Sequence, residues 1–316
     1  MSHPRNPGVP LAPDWFAGTR INRPAAERRA ATLTARRSPK KVHQAAFLLN
    51  AIRCMDLTTL AGDDTLDRVA RLCAKARRPL GDDIVQGLGL NAMPTVGAVC
   101  VYPTMVAPAV RALSNTGIPV ASVATGFPAG LMPFDLRLAE IRYAVDQGAS
   151  EIDIVITRAH VFRAAWAALY DEVAAMRDAC GAAYMKAILA TGDLVTLKHV
   201  FDASMVAMQA GADFIKTSTG KEGVNATLPV SLVMLRAIRD FGARTGHCAG
   251  FKPAGGMKTA KDAIAWQILM REELGRDWLE PDLFRLGASS MLGDIERQLE
   301  HHVTGRYSAA HRHALA

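Results

Sequence analysis

Short apolar runs alternate with segments of helical periodicity along the chain after residue 45. Eight runs predict β-strands: Ala51–Leu57, Val96–Val101, Val120–Thr125, Glu151–Ile156, Tyr184–Ala190, Phe214–Ser218, Gly250–Ala254 and Leu283–Ala288. The clearest helical segments between them are Leu136–Gln147, Ala164–Ala179, Leu194–Ala210, Val230–Gly242 and Ala260–Leu274. Glycines stand where helix C-caps belong, at Gly148, Gly181, Gly211 and Gly242.

Eight strands alternating with helices over about 250 residues predict the α/β class and a (β/α)8 TIM barrel. A doubly wound sheet is the alternative fold. That fold needs a glycine-rich fingerprint after its first strand, and this chain has Asp56-Leu57-Thr58-Thr59-Leu60 there. The pattern therefore favours the barrel.

The net charge of +7 is confined to the first 44 residues. Of 37 basic and 30 acidic residues, nine and two lie there, which leaves 28 of each in the remainder. We expect a basic N-terminal extension over residues 1–44, a barrel domain over 45–305 and a tail over 306–316. The extension should contain a helix, Ala25–Arg37, packed on the body; a transit peptide or a segment that binds an anionic partner are alternatives. The balanced body argues against a nucleic-acid-binding domain.

The remaining composition predicts a cytoplasmic protein without a membrane partner. The longest nearly apolar stretch, Val96 to Val110, contains two prolines and is too short to span a bilayer, and no signal-peptide pattern opens the chain. Five cysteines without CxxC spacing predict neither a disulfide framework nor a zinc site. Cys100, in the second strand, is either a core residue or a reactive thiol. We expect no metal and no cofactor.

Four consecutive predicted strands carry a charged residue: Asp153, Lys186, Lys216 and Lys252. In Glu151–Ile156 the isoleucines share one face, so Asp153 points to the other face, into the barrel. Barrel active sites lie at the carboxyl ends of the strands. We therefore expect these side chains to meet at that end.

Lys216, near the end of the sixth strand, is the candidate nucleophile. A free lysine amine has a pKa of about 10.4 and is almost fully protonated at pH 7. Burial or a second ammonium, here Lys252, lowers that pKa and frees the amine to form a Schiff base with a carbonyl. Asp153 is then the candidate general acid and base, and Lys186 positions it or tunes the local charge.

The pattern leaves other assignments of these residues open. The two lysines could exchange roles, because each would be the second ammonium for the other. Asp153 could serve only to neutralise a lysine. A lysine at a strand end can also simply extend its ammonium into solvent.

Glycine-containing stretches follow the seventh and eighth strands. Backbone N–H groups at such turns approach an anion closely, a helix N-terminus adds a favourable dipole, and the loops after strands seven and eight often bind phosphate in barrels. The residues assigned to binding an anion are Gly220, Lys221, Gly255, Gly256, Gly287, Ser289 and Ser290. For the two serines, capping of the last helix is the alternative role.

Thr219-Gly220-Lys221 resembles the end of a nucleotide-binding P-loop, but the rest of that motif is missing. Ile215 stands where the first glycine is needed, and Glu222 follows the lysine where Ser or Thr is needed. No nucleotide is implied.

Four motifs together closely resemble the 2-deoxyribose-5-phosphate aldolase family: Met55–Leu60, Glu151–Asp153, Phe214–Lys221 and Gly250–Gly256. The resemblance spans about residues 45–305, and the basic arm and Arg285–Ala288 are similar to the longer, eukaryotic-type members. It implies a metal-free class I aldolase on a (β/α)8 barrel, a homodimer, that reversibly cleaves 2-deoxy-D-ribose 5-phosphate to D-glyceraldehyde 3-phosphate and acetaldehyde.

Carried over by position, the resemblance implies that Lys216 forms the Schiff base and that Lys252 and Asp153 transfer protons. Asp56 matches a position that helps to hold the substrate hydroxyls, and the phosphate end matches Gly255, Gly256, Ser289 and Ser290. Some bacterial members end in a tyrosine near the site; here the chain ends in Ala316, and Tyr307 is the only tyrosine of the tail.

Two other functions compete with this one. The first is a Schiff-base lyase on the same fold that acts on a different phosphosugar. The second is a non-catalytic barrel scaffold that binds RNA or acidic partners through residues 1–44. The joint presence of Lys216, Lys252 and Asp153 favours the aldolase.

Overall fold

The computed structural model describes residues 3–309 and 311–314, and within these ranges eight parallel strands form a barrel. The strands are β1 Met55–Thr58, β2 Ala98–Val101, β3 Val120–Val123, β4 Glu151–Val155, β5 Tyr184–Ile188, β6 Phe214–Lys216, β7 Gly250–Lys252 and β8 Leu286–Ala288. They follow one another in the order β7-β6-β5-β4-β3-β2-β1-β8. Bridges between Phe251 and Phe284 and between Ala254 and Gly287 join β7 to the β8 segment and close the ring. The predicted (β/α)8 barrel is confirmed.

The helices of the described residues are α1 Arg23–Arg36, α2 Val42–Arg53, α3 Leu66–Arg77, α4 Asp82–Gly87, α5 Val106–Ala112, α6 Phe134–Asp146, α7 Arg158–Phe162, α8 Trp166–Ala179, α9 Leu197–Gln209, α10 Leu228–Thr245, α11 Ala260–Leu274 and α12 Ser290–Thr304. Their local sequence explains their limits. A capping box between Thr259 and Asp262 starts α11, and Gly246, at a φ of 73°, ends α10. The C-cap predicted at Gly242 is therefore wrong, because α10 continues through it.

The first predicted strand, Ala51–Leu57, is correct only in its second half. Helix α2 runs to Arg53, and Ala51 and Ile52 face the core from that helix. Periodicity cannot separate a short apolar strand from the buried end of a helix, which explains the error. The other predicted strands are confirmed, and five of them end earlier than predicted, including the sixth and the seventh. As a result Lys216 and Lys252 are the last residues of β6 and β7.

The strands are buried on both faces, as parallel strands usually are. In β4, Ile152 and Ile154 pack into the apolar layer between strands and helices. The alternate residues, Glu151 and Asp153, point into the barrel and contact lysines of other strands. The predicted inward direction of Asp153 is confirmed.

The N-terminal extension lies against the body. The buried Asn6 side chain donates to the carbonyls of Met208 and Ala212 at 2.8 and 2.9 Å, and its backbone N–H donates to the Asp213 carboxylate at 2.7 Å. Asp213 immediately precedes β6, so this contact lies at the amino-terminal end of the barrel, opposite Lys216.

Helix α1, which confirms the helix predicted over Ala25–Arg37, packs on α10 and α11 and pairs Arg29 with Glu273 at 3.2 Å. The predicted boundary between residues 44 and 45 falls inside α2. No helix within the described part of the chain is both long and apolar enough to cross a bilayer.

Candidate functional site

Three buried lysines converge on the Asp153 carboxylate inside the barrel. The Nζ atoms of Lys216 and Lys252 each lie 2.8 Å from its Oδ2, and the Nζ of Lys186 lies 2.8 Å from its Oδ1. Strand register explains the meeting, because Asp153 is paired with Lys186 across β4 and β5, and Lys216 with Lys252 across β6 and β7. The structure thus brings together all four of the charged residues that the strand pattern selected.

Lys252 reaches this position because the neighbouring strand offers a glycine. A Cβ atom built on Gly287 would lie 3.2 Å from Cε of Lys252 and 2.9 Å from Cβ of Ala254. These distances are shorter than ordinary contacts between carbon atoms. Gly287 therefore lets the lysine side chain pass over β8 toward Asp153.

Asp56 lies inside β1 rather than after it, and it faces Lys252 instead of the solvent. Its carboxylate is fully buried, accepts a hydrogen bond from Lys252, and lies 2.6 Å from Nη1 of Arg285 and 3.6 Å from Nζ of Lys186. Lys186 is also fully buried and lies 2.6 Å from Glu151. The substrate-binding role assigned to Asp56 and the positioning or charge-tuning role assigned to Lys186 stay predictions; both side chains lie behind the catalytic candidates.

The assignment by pattern and motif missed two members of this buried cluster, Glu151 and Arg285. Arg285 donates from both Nη atoms to Glu151, at 2.8 and 3.2 Å. The alternation that selected Asp153 could have found Glu151, since it lies two residues earlier on the same face. Arg285 offered a weaker signal: it is a charged residue inside the predicted strand Leu283–Ala288, two residues before Gly287.

The surroundings give the lysines different pKa values. Burial lowers the pKa of Lys216, and the Lys252 ammonium lowers it further, against the opposing pull of Asp153. Burial also acts to lower the pKa of Lys252, but Asp153 and Asp56 outweigh it and hold that pKa above its ordinary value. Lys216 is therefore the amine that gives up its proton more easily, and burial contributes more to this than the neighbouring ammonium.

Asp153 is held in its ionised form. Burial acts to raise its pKa, but Lys186, Lys216 and Lys252 together lower the pKa well below its usual range. A carboxylate in that state accepts a proton only when one of its partners loses charge. The first role of Asp153 is therefore to pair with the ammonium groups of the three lysines and hold them close together.

A cavity of about 370 Å³ opens beside Lys216 at the carboxyl end of the barrel. All seven residues predicted to bind an anion line it: Gly220, Lys221, Gly255, Gly256, Gly287, Ser289 and Ser290. Lys258, Thr58 and Thr59 line it as well and were not assigned from the sequence. The cavity therefore joins the candidate nucleophile to the candidate anion-binding loops.

Ser289 and Ser290 begin the 15-residue helix α12, and Ser289, at the N-cap, makes no side-chain capping hydrogen bond. The capping role considered for Ser289 is thus not observed. Gly255 and Gly256 turn the chain at φ values of 78° and 79°, which glycine adopts without strain. The helix N-terminus and these turns suit a phosphate group.

The loop after β6 is held by its own carboxylate. Glu222 accepts hydrogen bonds from the backbone N–H groups of Thr219 and Gly220, at 3.0 to 3.1 Å. The N–H of Gly220 therefore binds an internal anion in this structure. The Lys221 side chain is exposed at the cavity wall.

The structure does not favour a reactive role for two other candidates. The Cys100 thiol is buried with Ala121 and Val123, and burial raises its pKa, which disfavours the reactive thiolate. Tyr307 is 91% exposed and stacks on His301 near the end of α12, at the opposite end of that helix from the cavity. Ala316 lies outside the described residues.

Comparison with known proteins adds family relationships to this geometry. The model of the DeoC/LacD family aldolases matches residues 50–272. The chain is 57% identical to the deoxyribose-phosphate aldolase of Homo sapiens over 309 residues, with 97% of each chain covered. It is 58% identical to the corresponding protein of Mus musculus over 307 residues, with 96% of each covered.

Two solved structures share the fold at low sequence identity. The deoxyribose phosphate aldolase of Aeropyrum pernix, described as a tetramer, has a TM-score of 0.59 at 21% identity and covers 88% of this chain and 99% of its own. An aldolase called QR15 has a TM-score of 0.60 at 24% identity, with 80% of this chain and 97% of that chain covered. At these identities the likeness supports the barrel fold.

Proposed function

Because the chain belongs to the DeoC/LacD family of aldolases, we propose that it reversibly cleaves 2-deoxy-D-ribose 5-phosphate to D-glyceraldehyde 3-phosphate and acetaldehyde through a Schiff base on Lys216. One observation carries the assignment of the nucleophile. Lys216 lines the cavity, whereas Lys252 and Lys186 lie behind it, and its environment lowers its pKa.

The first step forms the Schiff base. The neutral amine of Lys216 attacks the aldehyde carbon C1, and one proton moves from the new C–N nitrogen to the carbonyl oxygen to give a carbinolamine. A second proton converts the hydroxyl into water, which leaves, and the C1–nitrogen bond becomes an iminium. Lys252, which shares the Asp153 carboxylate with Lys216, supplies this second proton, and hydrolysis of the final iminium returns it.

The second step breaks the carbon–carbon bond. The iminium draws the electron pair of the C2–C3 bond into an enamine at C1 and C2, and the C3 hydroxyl loses its proton to the Asp153–Lys252 pair. C3 becomes the aldehyde carbon of D-glyceraldehyde 3-phosphate. Protonation of the enamine at C2 and hydrolysis of the resulting iminium release acetaldehyde and restore Lys216.

The phosphate supplies binding energy at a distance from the reacting carbons. We assign it to the far side of the cavity, between the N-terminus of α12 at Ser289 and Ser290 and the turn at Gly255 and Gly256, with Lys221 and Lys258 as countercharges. Gly220 and Gly287 complete the wall. The seventeen residues that line the cavity include all of these.

Borohydride trapping tests this proposal. The protein is mixed with 2-deoxyribose 5-phosphate, reduced, digested and mapped by mass spectrometry. We expect a reduced adduct on the peptide that contains Lys216. An adduct on Lys252 would exchange the two lysines, and the absence of any adduct from folded protein would refute the Schiff-base mechanism.

A homodimer is part of the same proposal. The loop before α6 and the helix itself expose Leu131, Phe134 and Leu136, and exposed apolar side chains in one region favour burial against another chain. Light scattering of the purified protein should give twice the mass of one chain. A monomer at micromolar concentration would refute this part.

We also propose that the protein is cytoplasmic. All five cysteines are free, and four of them are buried, which suits a reducing compartment. Fractionation of cells that produce the tagged protein should recover it with cytoplasmic markers. Recovery from an organelle would contradict this localisation.

A further inference from the structure

Six buried charged side chains form a closed ring inside the barrel. The ring runs from Lys252 to Asp56, Arg285, Glu151, Lys186 and Asp153, and returns to Lys252. Acids and bases alternate around it, so its formal charges cancel. Lys216 is attached to it only at Asp153.

We propose that Arg285 and Glu151, which do not touch the cavity, are positioning residues that fix the net charge around Lys216 and thereby decide how readily its amine is freed for attack. This inference rests on the proposed function of Lys216. Arg285 is suited to the task because a guanidinium stays protonated in proteins. Its Nη1 atom lies 2.6 Å from Asp56 and its Nη2 atom lies 2.8 Å from Glu151, so one guanidinium joins both acids of the ring.

The ring transmits a change of charge because it is sealed from solvent. All six side chains are buried, and charges in such surroundings interact more strongly than they do in water. Mobile ions cannot enter to compensate for a lost charge. The cluster must instead respond by gaining or losing a proton at its most weakly held site.

Lys216 is that site. Lys186 lies within 2.8 Å of two carboxylates, those of Glu151 and Asp153, and Lys252 contacts two as well, those of Asp56 and Asp153. Lys216 contacts Asp153 alone.

The other strands add little that titrates. Strand β2 adds the buried Cys100 thiol near the lysines, and β3 adds the uncharged Ser122, which is hydrogen-bonded to a backbone carbonyl. β8 is preceded by Arg285, which does not lose its proton. We therefore expect a change in the net charge of the ring to be compensated by gain or loss of a proton at the Lys216 amine.

Two single substitutions test the inference because they change the ring charge in opposite directions. Arg285→Met removes a positive charge, so the pH dependence of Schiff-base formation should move to higher pH by about one unit. Glu151→Gln removes a negative charge with little change of shape, and the dependence should move to lower pH by a similar amount. The double variant restores neutrality and should return the profile to that of the unaltered protein.

The readout is the rate of borohydride-trapped adduct on Lys216 with acetaldehyde, a probe without a phosphate, from about pH 5 to about pH 10. Arg285→Lys, which keeps the charge but loses the double contact, should leave the profile in place. Circular dichroism establishes which variants are folded. Should Arg285→Met not fold, the downward shift in Glu151→Gln decides the question.

Equal profiles in all folded variants, or shifts of the same sign in both single variants, would overturn the inference and leave Arg285 and Glu151 with a structural role only. This failure differs from failure of the proposed function. In the latter case the unaltered protein itself forms no adduct.

Discussion

Lys216 and Lys252 are register partners at the ends of two adjacent strands, and both hold the same oxygen of Asp153. Each ammonium is thus balanced in part by one shared carboxylate. Lys252 also pairs with a second carboxylate, that of Asp56, whereas the other neighbour of the Lys216 amine is the cavity. Because of this difference in partners, the pKa of Lys252 is raised and that of Lys216 is lowered, so Lys252 stays charged and Lys216 is the more reactive amine.

Replacement of the reactive amine should abolish the reaction. We expect Lys216→Ala to lose at least about 10³-fold in kcat, because the other lysines among the described residues that line the cavity, Lys221 and Lys258, lie on loops and not at the end of a strand. A coupled assay for D-glyceraldehyde 3-phosphate measures the loss. Lys261→Ala, at an exposed position of α11, is the matched control and should keep full activity. Turnover retained by folded Lys216→Ala would exclude it as the nucleophile.

Removal of the second ammonium should shift the pH dependence. In Lys252→Leu, Lys216 would face Asp153 with one competing cation fewer, so the pKa of Lys216 should rise and the pH–rate profile should move upward by about one unit. Proton transfer by Lys252 is lost as well, so kcat falls at every pH. The profile of kcat/KM against pH measures both effects. An unmoved profile would show that burial alone sets the pKa of Lys216.

The phosphate site can be tested apart from the chemistry. Ser289→Ala with Ser290→Ala should raise KM for 2-deoxyribose 5-phosphate by about 100-fold or more, because two hydrogen bonds to a charged group are lost and each is worth about 1.5–3 kcal/mol. Turnover of unphosphorylated 2-deoxyribose should not change. Equal losses on both substrates would place the serines outside the phosphate site.

Glu222→Gln should act on the same site in the opposite direction. The carboxylate occupies the N–H groups of Thr219 and Gly220, and its charge repels a phosphate nearby. When that charge is removed, inorganic phosphate should bind more tightly, and its inhibition constant should fall a few-fold. Weaker inhibition by phosphate would show that Glu222 supports the loop in its binding conformation.

Acid should weaken the fold through the buried carboxylates. The pKa values of Asp56 and Asp153 are lowered in the folded protein, Asp56 chiefly by Lys252 and Arg285 against the effect of burial. Their stabilisation is present above the unfolded pKa of about 4 and is lost as the pH falls toward the folded values. Urea unfolding between about pH 7 and pH 3 should show this loss. Asp56→Asn should be less stable at neutral pH and lose less on acidification than Asp14→Asn, its exposed control.

The contact of Asn6 should matter for stability and not for catalysis. Asn6→Ala removes the side-chain donor from the carbonyls of Met208 and Ala212, of which Met208 keeps the N–H of Gly211 at 3.0 Å, at a cost of about 1–3 kcal/mol. Activity well below the melting temperature should be unchanged, because the contact lies at the other end of the barrel. Asn22→Ala, which removes an exposed helix cap in the same segment, should cost about 1 kcal/mol.

Periodicity in the sequence was sufficient for the barrel and for Asp153, since a charged residue inside an alternating apolar strand has one direction in which to point. It also placed Lys216 and Lys252 in the sixth and seventh strands, and the structure shows that each is the last residue of its strand. It could not place the ring, because Glu151 and Arg285 meet across the barrel with 134 positions between them. Strand twist and stagger decide such contacts, and neither is written in the local pattern. The end of α2 was missed because a buried helix terminus and a strand look alike over a few residues.

The tail leaves α12 far from the cavity and is fastened there. Arg312 lies 2.5 Å from Glu300, late in the helix, and His313 lies 2.8 Å from Glu300 and 3.2 Å from Glu296, near the middle of the helix. Fifteen helical residues extend about 22 Å, so this end of the molecule is separated from the mouth of the cavity by most of the barrel's height. The described part of the tail leaves the mouth of the cavity uncovered, which is useful for enzyme redesign. The residues that line the cavity limit the size of the aldehyde that can enter it. Redesign for larger aldehydes can therefore begin with the loops that contain Thr59 and Lys258.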